Sequence, residues 1–161
     1  MNVLEKIKEV RDYYLNTYGI QPTKKQLNIL ESKDEIVREN FQRQEGCSTA
    51  AMIKAIEFAI NNQRSTVLFV NINNNTANIR INEMIRMLSN KHVVKSTKNP
   101  GRIEFLNGSC IHVIGGYAMD MIGLRADCVI IEPARLIGEC VVQSAMLCNC
   151  HSKIRQSVIL N

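Results

Sequence analysis

The chain has 161 residues and carries 20 Lys and Arg against 15 Asp and Glu, a net charge of +5. Its 45% hydrophobic and 22% charged content excludes a disordered or collagen-like chain, and no apolar run reaches the ~20 residues of a membrane span. The 6 Cys follow no secretory leader, because the N-terminus is charged and amphipathic from Glu5 onward; they read as reduced thiols of a cytoplasmic protein that contacts no membrane.

Val3, Leu4, Ile7, Val10, Tyr14 and Leu15 recur at helical spacing and predict a first helix that stops at Gly19. Pro22-Thr23 opens a second segment with Gln26, Leu27, Ile29 and Leu30. Residues 35–41 read as a short strand, with Ile36 and Val37 its apolar part, leading into the loop Arg43-Gln44-Glu45-Gly46-Cys47-Ser48-Thr49. Ala51, Met52, Ala55, Ile56 and Ala59 then share one side of a helix over 50–60. Residues 65–70 are continuously apolar, the pattern of a strand buried on both faces. A polar turn leads to a helix over 76–88 carrying Ile79, Met84, Ile85 and Leu88.

Residues 93–114 are β-like: 102–106 alternates, Asn107-Gly108 is a hairpin turn, and 110–114 returns before Gly115-Gly116. A short segment follows from Met119. Residues 127–132 form a second buried strand, stopped by Pro133; 141–148 is helical and 157–160 a last strand. Strand–loop–helix units around buried strands predict an α/β fold, a mainly parallel sheet with helices on both faces. One domain is expected over 1–161, with an N-terminal helix over 1–20 and a core over 21–161.

Two places carry chemistry. Gly46 followed by Ser48 and Thr49 at a helix start suits phosphate, since first-turn N–H groups and the helix dipole face an anion and a hydroxyl can ligate Mg²⁺. A turn and an ordinary helix N-cap would use the same residues. The general phosphate-loop pattern has Lys where this chain has Cys47, and glycine where it has Phe41. Glu132 ends the second buried strand, where a carboxylate directs Mg²⁺, although buried strands also end in Glu merely on reaching the surface. Pro133 follows it and has no proton-accepting group.

Elsewhere, Cys148, Cys150 and His151, with Cys140 nearby, offer soft ligands at tighter spacing than structural zinc sites use. Cys47 at a helix N-terminus suits a reactive thiol of low pKa. His92, His112 and His151 are too scattered to serve it, and Met84, Met87, Met119 and Met121 read as packing.

Three motifs in register, Arg43-Gln44-x-Gly46-x-Ser48-Thr49, then 103–109 ending Asn107-Gly108-Ser109, then Gly123-Leu-Arg-Ala-Asp127 running into Val129-Ile-Ile-Glu132-Pro-Ala134, resemble the ATPase domain of the tailed-phage terminase large subunit. The similarity runs from about Gln26 to residue 161. It implies a phosphate-loop NTPase core with a β-hairpin insertion, ATP and Mg²⁺ as cofactors, and double-stranded viral DNA, the portal and the small terminase subunit as partners in the host cytoplasm. Gln26 would read adenine, and Arg43 would act in cis on the γ-phosphate as a catalytic arginine. Gln44, Gly46, Cys47, Ser48 and Thr49 would hold the phosphates. Glu132 would serve catalysis by directing Mg²⁺, with Ser48 its second ligand. Residues 157–161 would lie near the strand that couples hydrolysis to DNA movement.

The departures from the family pattern weigh on chemistry. Cys47 removes a cation from the β/γ-phosphates, and Pro133 removes the water-orienting carboxylate; each loss costs orders of magnitude in a preorganised phosphoryl-transfer site. Glu139 lies several residues too far along to replace it, and Glu45 would repel phosphate if it pointed inward. The family's nuclease domain is not present, so no DNA cleavage is expected. Three functions follow: a packaging-motor ATPase domain with impaired hydrolysis; an inactive structural or regulatory relative, or the front part of a split terminase with a separate nuclease chain; and a helicase-like ATPase.

Overall fold

A computed structural model describes residues 3–42, 44–88, 92–98, 101–117 and 123–161. The two runs that read as doubly buried strands lie side by side in the middle of one sheet. These are β2 (Thr66–Asn71) and β6 (Cys128–Ile131), paired in parallel with Val67 opposite Cys128 and Val70 opposite Ile131. Around them the order is β1-β7-β6-β2-β5-β4-β3, with β1 (Ile36–Glu39), β3 (Val93–Lys98), β4 (Gly101–Phe105), β5 (Cys110–Gly115) and β7 (Gln156–Leu160). Strands β1, β7, β6, β2 and β5 are parallel; β4 and β3 continue the sheet as an antiparallel meander.

Alternation along each buried strand feeds two cores. Val67, Phe69, Ile111, Val113, Ile130 and Leu160 face α3 (Cys47–Asn61) and α4 (Asn74–Met87). Leu68, Val70, Val129, Ile131 and Ile159 face α5 (Glu139–Leu147) and the 3₁₀ turn Ala134–Leu136. Each such side chain, wholly withdrawn from water, stabilises the fold by roughly 1.5–3 kcal/mol. A third cluster, Tyr14, Leu30 and Ile53, seats α1 (Val3–Tyr18) on α2 (Lys24–Glu31) and α3. Helices therefore cover both faces of a mainly parallel sheet, as the sequence predicts. No helix among the described residues is long and apolar enough to cross a membrane.

Helix bounds differ from the sequence-based ones where a cap sets them. The α4 helix begins before residue 76 because the Asn73 side chain, as N-cap, accepts the Thr76 N–H at 2.9 Å. The Asn-Gly-Ser turn is a clamp on the far end of α3. Asn107 Nδ2 donates to the Ala59 and Ile60 carbonyls at 2.8 and 3.0 Å, and Ser109 Oγ donates to Asn62 O at 2.6 Å, satisfying carbonyls that a helix end leaves open. Asp127 ties the same end of the sheet. Its carboxylate accepts the Thr66 N–H at 2.8 Å and the Ser152 hydroxyl at 2.6 Å, fixing the entries to β2 and β6. With that end held, the C-terminal ends of the parallel strands lie toward the loop after β1.

Candidate functional site

The loop is shaped by two residues in the left-handed region, Gln44 at φ 70° and Gly46 at φ 75°. Gly46 also leaves room for Gln26, since a Cβ there would lie 2.4 Å from Nε2 and push that amide aside. Gln26 braces the loop from behind: Nε2 donates to Gly46 O at 3.1 Å, while Oε1 accepts the Thr23 N–H in the capping box of α2. Glu45 turns away from the cleft and accepts from the Gln42 N–H at 2.6 Å and Lys25 Nζ at 3.0 Å. The Gln42 N–H, and after it Lys25, hold its carboxyl below the usual range. Phe41, in the place of a loop glycine, is buried in the core beneath the Lys25 ammonium, 5.8 Å from its ring centroid.

The first hydrogen bond within α3 runs from Ala50 N to Gly46 O, and no side chain caps the helix start. The N–H groups of Cys47, Ser48 and Thr49 therefore have no acceptor within the helix and sit at its positive end. Ser48 Oγ donates to Glu132 Oε1 at 2.6 Å, joining the loop to the end of β6. Arg80, from α4, completes the group: Nη2 donates to Ser48 Oγ at 2.7 Å, Nη1 pairs with Glu83 at 2.8 Å, and Nε lies 3.5 Å from Glu132 Oε2. Glu132 is buried, and its Oε2 has no hydrogen-bond partner among the described residues. Asn71, at the end of the neighbouring strand, is fully buried with both amide atoms equally unpartnered.

These elements enclose a cleft of about 290 Å³, lined by Phe41, Gln42, Gln44, Gly46, Cys47, Ser48, Glu132, Pro133, Arg135 and Asn161. Of the residues expected to hold a nucleotide, Gln44, Gly46, Cys47, Ser48 and Glu132 line it. Thr49 continues along α3 without lining it, Gln26 stands behind the loop, and Arg43 lies outside the described residues. Asn161 arrives through β7, where its N–H donates to Glu39 O and its carbonyl accepts the Phe41 N–H.

The reactive-thiol expectation for Cys47 is corrected. Burial, and then the Glu132 charge, push its pKa up to about 12, outweighing Arg80 and Arg135. Glu139 begins α5, where it accepts from Gln143 Nε2, and does not line the cleft. Cys148 is buried and donates to Ser144 O, whereas Cys140 and Cys150 are exposed; no three His, Cys, Asp or Glu side chains gather as a metal site among the described residues. Met119 and Met121 lie outside the described residues.

Arg80 and Arg135 carry charge at the site and are absent from the sequence-based set. Nothing local marks Arg80, since a helical Arg three residues before Glu83 reads as a surface ion pair. Arg135 was more accessible: it is the first cation after the Pro133 that stops β6.

No family model matches the chain, and no curated protein does. Solved structures match over most of it. The large terminase ATPase domain of Thermus phage P74-26 superposes with a TM-score of 0.76 at 19% identity, over 93% of this chain and 68% of that one. The large terminase of a thermophilic bacteriophage matches in complex with ADP, at TM-score 0.70 and 17% identity over 86% of this chain. The same terminase also matches in complex with ATP-gamma-S, at 0.69 and 17%. This chain spans 38% and 37% of the length of those two. The chain thus has the fold of the phage large terminase ATPase domains, an α/β phosphate-loop NTPase fold.

Proposed function

We propose that the chain is a nucleotide-binding domain of the DNA-packaging-motor type, with impaired hydrolysis. The observation that carries this is the Ser48–Glu132 hydrogen bond at 2.6 Å, which joins the first turn of α3 to the residue after β6 in the lining of the cleft. Support comes from the fold and from the ADP and ATP-gamma-S complexes of the thermophilic-phage terminase.

The first-turn N–H groups of α3 face the phosphates, and Arg135 at the rim supplies charge in place of a loop lysine. Gln44 and Gly46 shape the cradle, with Gln26 acting through the loop that it braces. Arg43 keeps the role against the γ-phosphate that the family resemblance gives it. Glu132 is the one carboxylate among the described lining residues, and it is engaged by Ser48 and Arg80. With Pro133 beside it, no group among the described residues is placed to orient a water, which impairs hydrolysis of bound ATP.

Ser48 and Glu132 present a hydroxyl and a carboxylate of the hard-oxygen kind that Mg²⁺ takes. Arg80 already donates to the first and faces the second, so a divalent cation does not fit between them as they stand. Double-stranded viral DNA, the portal, the small terminase subunit and a separate nuclease chain are the proposed partners.

Calorimetry with ADP and ATP, beside a phosphate-release assay with and without double-stranded DNA, tests this reading. Binding with release at the buffer rate is expected. DNA-stimulated release would overturn impaired hydrolysis, and no binding at millimolar nucleotide would overturn the nucleotide site itself.

A further inference from the structure

We propose that Arg80 is the resident cation of this site: its guanidinium excludes a divalent ion from Ser48 and Glu132, and phosphate is bound without metal. The second half of this inference rests on the nucleotide reading; the first half does not.

The geometry is that of an occupied position. Ser48 Oγ and Glu132 Oε1, 2.6 Å apart, share a proton at hydrogen-bond distance. The serine oxygen has two lone pairs, and one of them receives Arg80 Nη2 at 2.7 Å. The second carboxylate oxygen, Oε2, makes no hydrogen bond among the described residues, but it faces Arg80 Nε at 3.5 Å. A divalent ion reaching both oxygens would sit against a fixed positive charge, in a region where water screens little.

Arg80 is held in place from its other side. Glu83 accepts Nη1 at 2.8 Å from one turn along α4, so the guanidinium is clamped between two carboxylates. Its side chain is 18% exposed, and that of Glu132 only 5%. A planar fork fixed in this way holds a positive charge against Ser48 at the α3 start, beside the place where phosphate oxygens would arrive, and needs no dehydration of an ion to do so.

Mn²⁺ is the probe, titrated into the full chain and followed by the loss of its free-ion electron paramagnetic resonance signal. The unmodified chain is expected to bind none at millimolar Mn²⁺. Arg80→Gln is expected to gain one site, which disappears in the double variant Arg80→Gln/Glu132→Gln. Mn²⁺ binding by the unmodified chain that is lost in Glu132→Gln would overturn the proposal, as would a folded Arg80→Gln that binds none.

If Arg80→Gln does not fold, ADP calorimetry on the unmodified chain decides instead. Equal affinity in EDTA and in Mg²⁺ supports a resident cation, and affinity about tenfold tighter in Mg²⁺ overturns it. Absence of ADP binding in both buffers would remove the nucleotide reading, while the Mn²⁺ titration of the unmodified chain and Glu132→Gln would still decide the role of Arg80.

Discussion

Gln26 and Gly46 are fitted to each other: the glutamine amide donates to the glycine carbonyl at 3.1 Å and fills the space that a Cβ on residue 46 would need. Helix α2 thereby sets the path of the loop before α3. Gly46→Ala combines that clash with a left-handed φ of 75°. It is expected to destabilise the chain by about 1–3 kcal/mol and to weaken ADP binding. Gln26→Ala removes the brace and half of a capping box, at about 1–2 kcal/mol. In urea titrations the double variant should be less damaging than the sum of the two, because the smaller side chain leaves room for the methyl.

Arg80→Ala leaves Glu132 buried beside Ser48 without the one cation paired with it among the described residues. A loss of about 2–4 kcal/mol is expected from the urea midpoint, because breaking a buried pair strands the remaining charge. Adding Glu132→Gln to Arg80→Ala should recover much of that loss. Equal stability of the single and double variants would mean that the pair contributes nothing.

Asn107 and Asp127 stand in motifs that carry the family resemblance, yet both sit at the end of the sheet away from the cleft. Asn107→Ala should cost about 1–2 kcal/mol through the two α3 carbonyls it leaves open, with ADP affinity unchanged. A large loss of affinity at full stability would contradict the clamp described above.

Stability should fall in alkali. Cys47 and Cys128 have pKa values raised from 9.0 to about 12, in both cases chiefly by burial. Between these limits the unfolded chain releases thiol protons that the folded chain retains. Each thiol therefore lowers stability with rising pH, by up to ~1.4 kcal/mol per pH unit. Urea midpoints measured from pH 8 to 11 should show this slope, and Cys128→Ala should flatten it. At pH 8 iodoacetamide should label the exposed Cys140 and Cys150 before the half-buried Cys47 or the buried Cys128.

The sheet was readable because its central strands carry unbroken apolar runs, 67–70 and 128–131, and because Asn107-Gly108 marks a hairpin. Gly46, Ser48 and Glu132 were readable for a related reason: a loop entering a helix and the end of a buried strand are local signals that parallel topology brings together. Arg80 was hidden because its partners are set by where α4 crosses the sheet. Ser48 is 32 residues before it, and nothing near position 80 records that distance. Cys47 misled because position at a helix start predicts a lowered pKa only when the thiol stays near water, and here burial wins.

The placement of β7 between β1 and β6 governs the order in which this chain can fold. Gln156, at the start of β7, reaches back over 124 residues to donate to the carbonyl of Ser32. A nascent chain leaving the ribosome would release β1, the loop and α3 long before the strand that anchors them. Until then β1 has no neighbour in the sheet, and the sheet-facing side of α3 lacks its contact with β7. Such late, distant pairing gives a high contact order and slow closure. Holding the amino-terminal half out of aggregation during translation thus falls to α1 and α2, whose contacts with α3 are complete as soon as that helix emerges.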